Sequence, residues 1–259
     1  MNIHLEDRAL LGLKGHDKEA FLQSTITQDI TLLNSQKAIY SAHLTTKGKF
    51  LFDFFVAEMD DMYVIDCHKD ELMPLAQSLH QYVITKDVEF HDLTGDYHLT
   101  VSDKAIENSA LSYPDPRHKD LGWRNWLSQK PEKSAPMADY TQKRIDLKII
   151  DGAYDAVKEK TLINELGFES LNGVSFNKGC YVGQELTART KFRTEPKKKI
   201  VQVTLESDET VERGSVILCG NMDAGWLFSN QNGTGLALIR TRYLEKDLTL
   251  AGKPLHITA

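Results

Sequence analysis

The chain has 259 residues, 41% hydrophobic and 26% charged, with a formal net charge of −6. That length supports a sizeable core and two or three subdomains, and the composition is that of a soluble globular protein. The negative balance argues against a general nucleic-acid coat, though not against a local basic groove. Three widely spaced cysteines, Cys67, Cys180 and Cys219, contain no C-x-x-C pair, which excludes a zinc ribbon and a thioredoxin motif and suits a reducing compartment. The start, M-N-I-H-L-E-D-R, has no apolar signal core, and no apolar run approaches a membrane span. The expectation is a cytoplasmic protein without a membrane partner.

In chain order, residues 8–14 predict a strand, and Asp17 is placed to cap a helix running toward Ile30. Residues 39–44, 50–57 and 62–66 predict an antiparallel meander, turned by Thr45-Thr46-Lys47-Gly48-Lys49 and by Asp60-Asp61. The continuous apolar texture of 50–57 predicts a strand covered on both faces. Residues 70–83 carry the clearest helical period, with Leu72, Leu75, Ala76, Leu79, Tyr82 and Val83 on one face and Asp70 as the predicted cap. Strands are expected at 88–90 and 97–101. Four of the seven prolines fall between 102 and 140, which predicts a surface connector. A helix is expected over 138–150. From Lys199 onward short strands separated by Gly- and Asn-rich turns predict a small β-barrel over 197–259. The resulting fold class is α+β: a body over 1–196, with its connector at about 102–140, and a C-terminal barrel.

The densest chemistry lies between Asn172 and Phe192. A thiol (Cys180), an amide (Gln184), a carboxylate (Glu185), an aromatic ring (Tyr181) and two glycines (Gly179, Gly183) fall within seven residues. Glycines around a nucleophilic side chain allow close backbone approach to a ligand. Lys178 and backbone N–H groups are expected to lower the Cys180 pKa, whereas the bland alternative is a lone buried thiol. Gln184 and Glu185 present the donors and acceptors that the polar edge of a pterin requires; equally, they suit the first turn of a helix. Arg189, Lys191, Arg193, Lys197, Lys198 and Lys199 form one basic cluster. It is read as a solvated linker, as a cradle for an anionic tail such as the glutamate of folate, or as a nucleic-acid contact, in that order. Phe192 is its only aromatic, so base stacking has little support and no nucleic-acid partner is expected. Gly233-Thr234-Gly235 precedes a predicted strand rather than a helix, so it lacks phosphate-cradling geometry.

The run Lys178-Gly179-Cys180-Tyr181-Val182-Gly183-Gln184-Glu185 resembles the signature K-G-C-Y-x-G-Q-E of the YgfZ family at all seven fixed positions. These are folate-binding proteins needed for maturing some iron–sulfur enzymes, and they resemble in fold the aminomethyltransferase of the glycine cleavage system. Asp115-Pro116-Arg117 with Leu121-Gly122-Trp123-Arg124 resembles a D-P-R…L-G-x-R segment of bacterial members. Two departures stand out. Lys148 replaces the glycine of an R-I-x-x-G-I segment, and Gly167-Phe168 stands where Asn-Leu is frequent.

The resemblance implies an aminomethyltransferase-like body around a central folate pocket faced by the Cys180 loop, with tetrahydrofolate or a derivative as cofactor. Cys180 is implied as the working residue. Lys178, Gly179, Tyr181, Gly183, Gln184, Glu185, Tyr140, Arg144 and Asp53 are the implied folate contacts, and Tyr140 and Trp126 are candidate stacking platforms. The implied partners are iron–sulfur client enzymes or assembly proteins. Where aminomethyltransferases carry paired acids, this chain has Phe52 and a single Asp53, so one-carbon transfer ranks second to the accessory role. A non-enzymatic interaction module built on the basic segment is the third reading.

Overall fold

The computed structural model describes residues 2–208 and 210–258; Met1 and Ala259, which close the two expected domain ranges, lie outside the described residues together with Glu209. Its elements in chain order are β1 (Asn2–His4), β2 (Arg8–Lys14), α1 (Lys18–Thr25), β3 (Ala38–Leu44), β4 (Phe50–Met59), β5 (Met62–His68) and α2 (Leu72–His80). Next come β6 (Glu89–Asp92), β7 (His98–Ser102), β8 (Leu111–Pro114), β9 (Trp123–Leu127), α3 (Met137–Asp146), α4 (Gly152–Asp155) and α5 (Gln184–Arg193). The chain finishes with β10 (Lys198–Leu205), β11 (Val216–Cys219), β12 (Met222–Gln231), β13 (Thr234–Arg240), β14 (Leu248–Leu250) and β15 (Lys253–Ile257).

Three antiparallel assemblies result. A five-stranded sheet runs β3-β4-β5-β2-β6, a four-stranded sheet runs β1-β7-β9-β8, and β10-β13-β12-β11-β14-β15 close into a barrel. The five-stranded sheet is apolar on both faces because β4 alternates between two cores. Phe52, Phe54 and Val56 pack with α1 and α2, whereas Phe55 and Ala57 face a second core shared with β1, β7 and β9. That second core also takes Phe168, Tyr181 and Leu236, so the barrel and the 163–181 segment are fastened to it. The barrel interior is a third core, built on Val203, Leu227, Ile239 and Leu255.

Several expectations are corrected. The stretch between 102 and 140 is not only a connector: β8 and β9 form one half of the four-stranded sheet, with Trp126 fully buried. The prolines hid these strands by sitting at their ends, as Pro114 does in β8. The first helix stops at Thr25, and Asp17 gives it no side-chain cap; its carboxylate accepts instead from the Asp87 N–H at 2.8 Å. The second helix begins at Leu72, after a short 3₁₀ turn capped by His68 rather than Asp70. The helix expected over 138–150 ends at Asp146. Its closure is a left-handed turn: Lys148 has φ +58°, its N–H bonds Ile145 O at 3.0 Å, and Ile149 N–H bonds Arg144 O at 2.8 Å. Lys148 thus adopts the conformation that favours the glycine it replaces. Among the described residues no helix is long and apolar enough to cross a membrane.

Candidate functional site

The segment 172–187 is stitched to the chain that leaves α1. Thr27 Oγ1 donates to Gly173 O at 2.6 Å, Ser175 N–H to Thr27 O at 3.0 Å, and Val182 N–H to Ser24 O at 3.1 Å. The Lys178 ammonium donates to the carbonyls of Ile26 (2.9 Å) and Gln28 (2.8 Å) and lies 5.2 Å from the centre of the Tyr181 ring. Burial lowers its pKa to about 8. This corrects the expected role of Lys178: its charge is committed to backbone carbonyls and holds the loop down. Tyr181 is buried in the shared core, and the loop is therefore anchored on both sides of the thiol.

Between those anchors Gly179 and Cys180 are exposed. A Cβ on Gly179 would meet nothing within 4 Å, so the backbone just before the thiol borders open space. Cys67, by contrast, is buried and its thiol is pushed up to about 12 by desolvation; Cys219 is half-buried. Gly183 (φ +81°) precedes α5 and packs on the β3–β4 turn. Gln184 reaches back weakly to Gly179 O at 3.5 Å, while Glu185 is exposed in the first helical turn, where the dipole favours it.

Among the described residues, Asp53, Tyr140 and Arg144 make their side-chain hydrogen bonds to partners outside this loop. Asp53 is three residues beyond Phe50, which pairs with Leu44 beside Gly183, a separation of roughly 10 Å along the strand. It faces the shared core, where Tyr40 Oη donates to it at 2.6 Å and Gly152 N–H at 3.2 Å. Burial, then the neighbouring Asp151, raise its pKa. Asp151 is held below the ordinary carboxylate range, because Arg144, Arg8 and Arg117 outweigh its burial.

Arg8 donates to Asp66 at 2.7 Å and Arg124 to the same carboxylate at 3.1 Å. Arg117 grips Asp115 at 2.8 Å and donates to Tyr140 Oη at 2.8 Å. All three guanidinium groups lie over the Phe55 ring, at 4.0 Å for Arg124, 4.7 Å for Arg117 and 5.7 Å for Arg8. Arg144 is buried against Asp155 at 3.2 Å. Asp155 in turn accepts from Ser229 N–H of the barrel at 2.9 Å, so this pair joins body to barrel.

The hollow enclosed by this network is lined by Asp53, Arg117, Arg124, Tyr140 and Asp151 and has a volume of about 10 Å³, room for one water. Asp7 and Asp151 each present one buried carboxylate oxygen without a partner, which such a water would satisfy. A pteridine does not fit it. Neither this hollow nor the cleft of about 360 Å³ between α5 and residues 163–176 is lined by residues 178–185. Of the expected folate contacts, Asp53 and Tyr140 line this hollow, whereas Lys178 to Glu185 do not. Trp126, fully buried beside Tyr113 and Tyr97, offers no stacking face. The Arg8–Asp66–Arg124 core was not anticipated, although Arg117 and Arg124 belong to a segment that resembled the family.

In three dimensions the whole chain superposes on glycine cleavage system aminomethyltransferase T from Bartonella henselae with a TM-score of 0.80, covering 100% of this chain and 84% of that one at 12% identity. The chain has an aminomethyltransferase-like fold. Residues 197–259 match the family described as the CAF17 C-terminal β-barrel domain, in agreement with the closed barrel. In sequence the chain is similar to the mitochondrial iron–sulfur cluster assembly factor IBA57 of Mus musculus, 27% identical over 98% of this chain and 79% of the relative. Similar too are its homologues in Mycosarcoma maydis (27%, 95% and 66%) and Neurospora crassa (28%, 78% and 53%). The chain thus spans between about half and four fifths of these relatives' lengths. The expected aminomethyltransferase-like α+β fold with a C-terminal barrel is borne out.

Proposed function

We propose that this chain is a factor in the assembly or repair of iron–sulfur clusters in client enzymes, working through the thiol of Cys180. The observation that carries this reading is the loop itself: an exposed cysteine next to an uncrowded glycine, on a segment pinned by Lys178 and Tyr181. The relatives named as iron–sulfur cluster assembly factors supply the class of role. A thiolate is the form that binds iron, its proton passing to solvent. Among the described residues there is no group of three or more His, Cys, Asp or Glu placed to hold a metal ion, so a cluster carried here as cargo takes its remaining ligands from a client or assembly protein.

The resemblance of the run 178–185 implies a reduced folate as cofactor, but the hollow at Asp53 has no room for one. Binding there requires Arg117 and Tyr140 to separate. One-carbon transfer through Asp53 requires the same opening and ranks second, because Tyr40 and Gly152 already hold that carboxylate.

The test is complementation. In cells lacking the protein, Cys180→Ser should fail to restore an iron–sulfur enzyme's activity at normal protein level, while Cys219→Ser restores it. Full rescue by Cys180→Ser would end the reading. Titration of reduced folates against the wild type and Asp53→Asn decides the cofactor: saturable binding weakened by the substitution supports the central site, and no binding removes folate from the function.

A further inference from the structure

We propose that the outer wall of the barrel carries a binding site for a small polyphosphate anion of nucleotide size, independent of the Cys180 loop. The register of β10 on β13 sets Lys198 directly opposite Arg240. Like charges opposed across a ladder repel, and the Glu165 carboxylate, 3.3 Å from Lys198, balances only one of the two. Ala237 and Ile239 point into the barrel, which turns Leu238 and Arg240 outward, and Trp226 pairs with Leu238 from β12. Trp226, Arg240 and Lys198 therefore share one outer surface.

The indole holds the two cations together. Lys198 Nζ is 5.7 Å and the Arg240 guanidinium 5.6 Å from the centre of the Trp226 ring. The attraction of each cation for the ring offsets part of their mutual repulsion and fixes their positions before a ligand arrives. Lys197, Thr241 and Arg242 complete the rim of a cavity of about 470 Å³. The Thr241 hydroxyl and N–H both bond Lys197 O at 3.0 Å, which ties the end of β13 to the start of β10 and fixes the rim. Only Lys198 of these cations has a carboxylate partner among the described residues, Glu165 at 3.3 Å; Lys197, Arg240 and Arg242 have none. The basic segment of the sequence is thus divided. Lys197 and Lys198 line this cavity, while Lys191 pairs with Glu169 beside the other cleft.

Size and charge select the ligand. The volume lies in the range of small-molecule sites, and two guanidinium forks suit the bidentate geometry of phosphate. A nucleic-acid polymer is disfavoured, because a single half-buried indole offers no platform for successive bases.

The experiment is calorimetric titration of the full chain at low ionic strength with inorganic tripolyphosphate, ATP without metal, a triglutamate peptide and a single-stranded oligonucleotide. Tripolyphosphate and ATP should bind one to one. Arg240→Gln should weaken both by about tenfold or more, Arg240→Lys should weaken them less, and Arg189→Gln, on α5, should leave them unchanged. Melting curves confirm that each variant is folded. The proposal is overturned by the absence of saturable binding, or by an equal loss in Arg189→Gln, which would mean diffuse attraction. Triglutamate binding as tightly as tripolyphosphate, or the oligonucleotide binding more tightly than ATP, would overturn it as well. None of these outcomes bears on Cys180, whose test is separate.

Discussion

Gly48, in the turn between β3 and β4, and Gly183, at the head of α5, interlock backbone to backbone. A Cβ on Gly48 would stand 2.8 Å from Gly183 O, and one on Gly183 would stand 2.6 Å from Thr45 O and 2.9 Å from Gly48 Cα. Both have positive φ, +69° and +81°. The two glycines of the thiol loop therefore differ in kind. Gly183→Ala combines strain with a backbone clash and should destabilise the protein by about 1–3 kcal/mol. Gly179→Ala, with nothing within 4 Å, should stay within about 0.5 kcal/mol. Urea midpoints of the two variants check this, and equal effects would refute the interlock.

Lys178 makes the loop pH-sensitive. Its folded pKa is lowered from 10.5 to about 8 by burial, so the unfolded chain holds this proton more tightly. Below pH 8 both states are protonated and the penalty for the buried charge is fully present. Between about 8 and 10.5 the unfolded state binds more protons, and this group's contribution to stability rises with pH. Subtracting the stability curve of Lys178→Met from that of the wild type should isolate a rise confined to that window. A flat difference would mean that the ammonium is solvated.

Lys148 occupies a left-handed position at the end of α3, with φ +58°. A side chain there costs about 1 kcal/mol relative to glycine. Lys148→Gly should raise the thermal midpoint, an increase that calorimetry can read directly, whereas Lys148→Val should lower it.

Asp66 is fully buried between Arg8 and Arg124. Asp66→Ala leaves two guanidinium groups over Phe55 without their carboxylate and should cost about 3–5 kcal/mol. Removing Lys191 from its exposed pair with Glu169 should cost no more than about 1 kcal/mol. Chemical denaturation of Asp66→Ala and Lys191→Met distinguishes the two kinds of ion pair.

Local signals carried much of this architecture. The period of Leu72, Leu75 and Leu79 marked α2, the apolar run through Phe50 and Phe55 marked a strand between two cores, and the turn-rich end marked the barrel. Boundaries were less legible where a distant residue decides them. Asp17 was free to cap α1 until Asp87 took its carboxylate, and β8 and β9 become strands only by pairing with each other and with β7.

By itself the sequence determined which groups share the thiol loop, since Lys178 to Glu185 are consecutive, but not that the Lys178 ammonium would be spent on backbone carbonyls. It also determined the fold class, because burial patterns repeat within each element. Only the tertiary structure decided where charge goes. Arg8, Asp66 and the Arg117–Arg124 segment converge beside Phe55 from three separate parts of the chain, and Lys198 meets Arg240 across a strand pair. Attraction between charges depends on distance in space, and the closure of the hollow at Asp53 follows from that distance, which no spacing along the chain records.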